Sequence, residues 1–304
     1  MSAAEARVGL FIVGAQRCGT TAWFDYLASH PAVVTPPCKE PNFFTTDFPV
    51  ARRASSVADY HALFGRWPPG AGGLGLDAST SYLFSTEAAA AIHAYNPAAR
   101  ILVLLRPPLA FLPSLHAHLR LRGFENAVTL EQAWQLEAAR MQGLELPPRC
   151  PDPVLLRYRH LARLGEQLAR YTALFPAQQI AVMDFEDWRP DPRRAYLALL
   201  QFLQLEDDGR HVFPKVNEAA RHRSPLLDRG LRSPHPLAVL LRASLRRLPT
   251  GTGRSLLDEV KRLNRAPLQG AGLSERLTSE ILHTLADDQA LLDRLATPLR
   301  LLRR

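Results

Sequence analysis

Cysteine is scarce in this chain. Cys18, Cys38 and Cys150 are the three present in 304 residues. They are odd in number and unpatterned, so they do not describe a disulfide framework and read as free thiols of a reducing, cytoplasmic compartment. No His or Cys pair has ligand spacing, and no metal site is expected. Long apolar runs are missing too: none approaches the ~18 residues that a membrane-crossing helix requires, so no membrane span is expected. Residues 1–7 are too short and polar to act as a secretory signal. Internal repeats and low-complexity tracts are also lacking.

What is present is a chain that is 47% hydrophobic, enough for one large core, with a net charge of +8. That balance admits nucleic acid, anionic lipid or an anionic small molecule as partner. The excess is arginine rather than lysine, and much of it lies between Arg229 and Arg265. No aromatic residues interleave with those arginines, as a surface for single-stranded nucleic acid would require. The tract reads as a solvated basic face, and no nucleic-acid partner is expected.

The stretch around which the rest is organised is Val8 to Leu27. Val8 to Val13 is short, apolar and β-branched enough for a buried strand. Gly14-Ala15-Gln16-Arg17-Cys18-Gly19-Thr20-Thr21 then forms a glycine-bracketed turn, and Trp23, Phe24, Leu27 and Ala28 repeat at helical spacing until Pro31. Strand, glycine loop and helix together make a cradle of backbone N–H groups for a phosphate. A nucleoside-triphosphate loop would place lysine after the second glycine. Here Thr20 stands in that place and the cation has moved to Arg17, which points to a donor other than ATP.

Further along, Ala32 to Thr35 reads as a second strand, and Lys39-Glu40 follows it where a doubly wound sheet has its ligand crevice. Asp59 to Phe64 reads as a short helix. Leu76 to Leu83 reads as a strand end running into small hydroxyl residues. Ile101 to Leu105 is the clearest buried strand, and it ends in Arg106, where a phosphoryl-transfer enzyme would place an aspartate for Mg²⁺. A cation there implies a second bound anion without a metal. The helix after Pro107-Pro108 is expected to expose Ser114, His116 and His118 in its early part. Thr129 with Gln132 makes a capping box for a helix to about Met141. One long helix is expected over 158–174, a strand over 179–183, a helix over 193–203 and one last helix over 277–295. The polar segment Lys215 to Pro225 is consistent with a loop that closes over a ligand. Strands alternating with helices argue an α/β fold with a central parallel sheet covered on both faces.

Four blocks carry a resemblance: Gly14–Thr21; Lys39-Glu40-Pro41-Asn42-Phe43-Phe44; Arg106 followed eight positions later by Ser114; and Phe185-Glu186-Asp187-Trp188 with Asp191-Pro192 and Phe202-Leu203. The chain resembles the sulfotransferases of P-loop-like fold that use 3′-phosphoadenosine-5′-phosphosulfate (PAPS). It is most similar to the heparan sulfate branch and its bacterial relatives. The resemblance implies a three-layer fold in one domain over 1–304. Its core spans about 8–205, and the loop-rich, helical remainder completes the acceptor and nucleotide site.

It also implies roles. Gly14, Ala15, Gln16, Arg17, Cys18, Gly19, Thr20 and Thr21 would hold the 5′-phosphosulfate, Arg106 and Ser114 the 3′-phosphate, and Arg221 and Arg223 would cover the nucleotide. Glu40 would be the general base toward a glycan, lipid or small natural-product hydroxyl, Lys39 would orient it or bind sulfate, and His116 and His118 are alternative bases. The product would be adenosine 3′,5′-bisphosphate (PAP), and no metal is implied. Many relatives have lysine at the position of Arg17, some have lysine at that of Ala78, and Cys18 replaces a smaller residue. A P-loop kinase with a displaced lysine and an inactive PAP-binding relative are the alternatives.

Overall fold

The structure is a computed structural model. It describes residues 7–48, 52–65, 73–214, 220–222, 265–267 and 273–302, with a few isolated positions between 240 and 260. Five strands, β1 (Val8–Gly14), β2 (Val33–Val34), β3 (Leu74–Ala78), β4 (Arg100–Leu105) and β5 (Ile180–Asp184), form one sheet. Their order is β2-β3-β1-β4-β5 and every pairing is parallel. Leu10 to Val13 of β1 and Ile101 to Leu104 of β4 are all 0% exposed. Helices cover both faces, which is why these strands are continuously apolar rather than alternating.

In chain order the helices are α1 (Thr20–Ala28), α2 (Val57–Ala62), α3 (Ser81–Phe84), α4 (Ala88–Tyr95), α5 (Pro108–Arg122), α6 (Leu130–Met141), α7 (Tyr158–Leu161), α8 (Leu164–Thr172), α9 (Phe185–Trp188), α10 (Pro192–Leu203), α11 (Glu275–Thr284) and α12 (Ala286–Ala296). A small antiparallel pair, β6 (Ala220–His222) with β7 (Arg265–Pro267), lies beside α5. This is the expected α/β architecture with a central parallel sheet. The Thr129–Gln132 capping box is formed in both directions.

Three expectations change. The helix expected over 158–174 is two pieces, because α8 restarts at Leu164 with its first amides held from far along the chain. Asp288 accepts from the N–H of Gly165 at 2.9 Å and of Glu166 at 2.8 Å. Gly165 is needed there, since a Cβ would overlap the backbone of α12 at Asp288 and Leu292. The last helix is likewise split, into α11 and α12, at Leu285, which turns inward and is 3% exposed. The strand expected to run past Leu76 stops at Ala78, and Ser81 already opens α3. The hydroxyls of Ser79, Thr80 and Ser81 donate to Asp77, Glu40 and Asn42.

Candidate active site

The strand order fixes where a ligand crevice falls. From β1 the chain goes out to β2 and back to β3 on one side, then crosses to β4 on the other. The carboxyl ends of β1 and β4 therefore flank the switch point of the sheet, and Gly14 is in register with Leu104. The loop after β1 turns tightly: the Cys18 N–H donates to the Ala15 carbonyl at 3.2 Å, and Arg17 has φ of 69°. Gly19 caps α1 at φ 92° and sits against the Trp188 ring, where a Cβ would overlap it. No side chain caps α1 and no acidic residue occupies its first turn. Its leading amides and positive dipole end therefore suit an anion. Thr20 is buried, whereas Gln16, Thr21 and Arg17 are half-buried.

Two cations meet at this point. Arg17 Nε donates to Ser114 Oγ at 3.3 Å, tying the loop to α5. Burial first, and then the positive charge of Arg106, depress the pKa of Arg17. Arg106 leaves the end of β4, donates from Nε to Glu186 Oε1 at 3.2 Å and lies over the Phe185 ring at 4.5 Å. Ser114 is 5% exposed and His116 7%, so the expectation that α5 exposes them is corrected: its first half is wedged into the core. Cys18 is 0% exposed. Burial pushes its thiol well up, against the opposing pull of Arg106 and Arg17. It packs as a small residue and resists forming a reactive thiolate. A cavity of about 650 Å³ opens beside Arg106, between the ends of β4 and β5 and α12. Asp184 in its wall is held by Arg300 at 2.7 Å.

Lys39 and Glu40 come to the same end of the sheet by a loop that β3 clamps in place. Glu40 and Asn42 have φ of 63° and 52°, an uncommon conformation for side-chain-bearing residues. The Asn42 N–H donates to Ser79 Oγ at 3.1 Å, Ser81 Oγ donates to Asn42 Oδ1 at 2.7 Å, and the Glu40 N–H donates to the Ala78 carbonyl at 3.3 Å. Ser79 is anchored by fully buried Asp77, which also accepts from the hydroxyls of Tyr60 and Tyr82, all three at 2.8 Å. Burial pushes Asp77 up to about 6 in spite of these bonds. Glu40 Oε1 accepts from Lys39 Nζ at 2.9 Å and Thr80 Oγ1 at 3.0 Å. Burial raises the Glu40 pKa, but Lys39, Thr80 and the charge of Arg122 outweigh it, and the net shift is downward.

The two candidate histidines differ. His116 points its Nε2 at the Ala127 carbonyl, 3.2 Å away, inside the core. His118 lies within electrostatic reach of Arg17, Arg122 and Glu40. Burial, then Arg17 and Arg122, push it down to about 4 while Glu40 opposes them, so its ring is neutral near pH 7. Arg221 lies on β6 in register with Ala266. Arg223 and Lys215 lie outside the described residues. Sequence reasoning missed Asp77, Thr80 and Arg122. The signals for the first two were a lone acid at a strand end and the hydroxyl run after it; Arg122 is marked by its four-residue spacing from His118. Among the described residues no group of three or more His, Cys, Asp or Glu side chains could hold a metal ion, and no helix is long and apolar enough to cross a membrane.

No protein-family model matches the chain, and no curated protein does. Among solved structures, a sulfotransferase from Alicyclobacillus acidocaldarius is similar with a TM-score of 0.63 and 24% identity, over 96% of each chain. A sulfotransferase domain from the curacin biosynthetic pathway gives a TM-score of 0.47 at 14% identity, over 92% of this chain and 98% of that one. Mouse sulfotransferase SULT7A1 complexed with PAP gives 0.48 at 11% identity, over 96% and 90%. The chain has the P-loop-like α/β fold of the sulfotransferases.

Proposed function

We propose that this protein is a sulfotransferase that moves a sulfuryl group from PAPS to a hydroxyl of a glycan, lipid or small natural-product acceptor, releasing PAP. The observation that carries the reading is the meeting of Arg17, Arg106 and the uncapped amino end of α1 at the switch point of the sheet. Two neighbouring guanidiniums, one of them depressed by burial and by the other, are stabilised by the arrival of an anion between them.

PAPS supplies an activated sulfuryl group on its 5′-phosphate. The residues present fit it: amides of the 14–21 loop, Thr20, Thr21 and Arg17 for the 5′ end, Arg106 and Ser114 for the 3′-phosphate. Arg17 stabilises the charge that builds on the 5′-phosphate as its bond to sulfur breaks. Glu40 takes the proton of the acceptor hydroxyl as the new oxygen–sulfur bond forms. Lys39 and Thr80 hold that carboxylate ionised and aimed. Lys39 also stands where it can steady the sulfuryl oxygens. Residues 206–304 complete a single catalytic domain, with Arg221 and Arg223 covering the nucleotide. We place the activity in the cytoplasm, on the three free cysteines, and the chain nearest the heparan sulfate branch and its bacterial relatives, on the sequence blocks alone.

A P-loop kinase would need a free carboxylate beside the loop for its metal. Here β4 is followed by Arg106, and Asp184 at the end of β5 is engaged by Arg300. The test is calorimetry with PAP, then transfer of labelled sulfate from PAPS to an acceptor panel in excess EDTA. PAP binding with metal-independent transfer is expected. PAP binding without transfer to any acceptor would leave an inactive relative, and failure to bind PAP would overturn the reading.

A further inference from the structure

Glu40 is fixed through both its backbone and its side chain. Its N–H donates to the Ala78 carbonyl at 3.3 Å, and its own carbonyl accepts from Asn42 Nδ2 at 3.2 Å. Lys39 Nζ and Thr80 Oγ1 both donate to Oε1. Among the described residues no hydrogen bond reaches Oε2, and the side chain is 41% exposed. Oε2 is therefore the oxygen open to an acceptor hydroxyl.

The backbone that carries this carboxylate is left-handed twice, at Glu40 and at Asn42, with Pro41 between them. Side-chain-bearing residues persist there only where their surroundings over-determine them. Asn42 meets that need. Asparagine tolerates the left-handed region, and here its polar groups bind in three directions. Its N–H donates to Ser79 Oγ at 3.1 Å, its Oδ1 accepts from Ser81 Oγ at 2.7 Å, and its Nδ2 closes back on Glu40. Ser79 is free to accept because its own proton goes to buried Asp77 at 2.8 Å. Ser81 Oγ shares a 2.8 Å bond with buried Thr45. We propose that Asn42 is a positioning residue for the reaction: its amide fixes the Glu40 carbonyl, which sets the carboxylate against Lys39 and Thr80 and turns Oε2 to the acceptor. Aspartate would offer the Glu40 carbonyl no donor, and glycine would accept the backbone but hold nothing. This rests on the sulfotransferase reading with Glu40 as base and adds the residue that holds the base in place.

The test uses N42G, which keeps the left-handed backbone without strain and removes the amide, and S79A, which removes the acceptor of the Asn42 N–H. Crystal structures of wild type and N42G read the geometry with no acceptor present. In N42G the Glu40 carboxylate should leave Thr80; a carboxylate still bonded to both Lys39 and Thr80 overturns the proposal. Labelled sulfate transfer from PAPS is then followed with methyl glucoside, 1-octanol and 2-naphthol. In both variants kcat should fall about ten- to a hundredfold, with PAP affinity within about twofold of wild type. In the E40Q background N42G should add less than about twofold, because the base it positions is already gone. A further loss of about tenfold in that background, or wild-type kcat in either variant, overturns the proposal. A wild type that sulfates none of the three acceptors would instead remove the sulfotransferase reading beneath it, and the crystal structures would still decide the positioning.

Discussion

Arg17 donates from Nε to the hydroxyl of Ser114, 97 residues later, at 3.3 Å. The bond joins the loop after β1 to the helix after β4, so it ties together the two halves of the proposed nucleotide site. Ser114→Ala removes this contact to Arg17 and a hydroxyl from the site. PAP affinity should fall by about tenfold, within the range for a charge-assisted hydrogen bond, with the fold intact by circular dichroism. Unchanged affinity by calorimetry would make the contact incidental.

Glu40 is held by Lys39 and Thr80 at the mouth of the same site. Glu40→Gln keeps the shape and removes the charge that accepts the proton. Sulfate transfer should slow by about 10²–10⁴ while PAP affinity stays near wild type. Wild-type turnover in this variant would pass the role of base to His118, the neutral histidine within reach of Glu40.

Gly19 has a backbone of φ 92° and touches the Trp188 ring, so it is closed to any side chain on two grounds. Gly19→Ala should cost about 2–4 kcal/mol and disturb the amides at the start of α1. Thermal denaturation should report the loss, and calorimetry should find PAP binding weakened with it. A variant as stable as wild type would mean that α9 yields to the methyl group.

Much of this was legible in the sequence wherever the signal is local. The apolar runs of β1 and β4, the glycines that bracket the loop, and the capping box of α6 depend on neighbours a few residues away. The breaks in the later helices were not, because their causes are distant: Asp288 caps α8 from α12, and Leu285 turns into a core that other elements build. In the site, Arg17, Glu40 and Arg106 stood out by residue type and place. The partners that define them did not. Ser114 was expected beside Arg106 and is bonded to Arg17, and the clamp from Asp77 through Ser79 to Asn42 exists only once β3 lies against the loop. His118 and His116 look alike in sequence and are separated by helix phase: His116 is bonded to the Ala127 carbonyl in the core, and His118 lies within electrostatic reach of Arg17 and Glu40.

Asp77 carries a pH signature. Its pKa is about 6 in the folded protein against an ordinary 3.8, so between those values the folded state holds a proton that the unfolded chain gives up. The linked stabilisation is present below the unfolded value and is lost as pH rises through about 6. Relative to Asp77→Asn, which lacks this titration, wild type should gain on the order of 1–3 kcal/mol as pH falls from about 7 to about 4. Urea unfolding of both proteins across that range would measure it. Parallel curves would mean that the three hydrogen bonds to Asp77 outweigh its burial.

The central claim is that Arg106 reads a 3′-phosphate. Its present partner, Glu186, is 43% exposed, so the carboxylate can turn to water when a phosphate takes its place, and removing the arginine should not unfold the chain. The most direct measurement is calorimetry of PAP and of adenosine 5′-monophosphate on wild type and on Arg106→Ala. Wild type should favour PAP by roughly ten- to a hundredfold, the ratio expected of a charge-assisted bond to phosphate, and Arg106→Ala should lose most of that preference. Equal affinity of wild type for the two nucleotides would contradict the account.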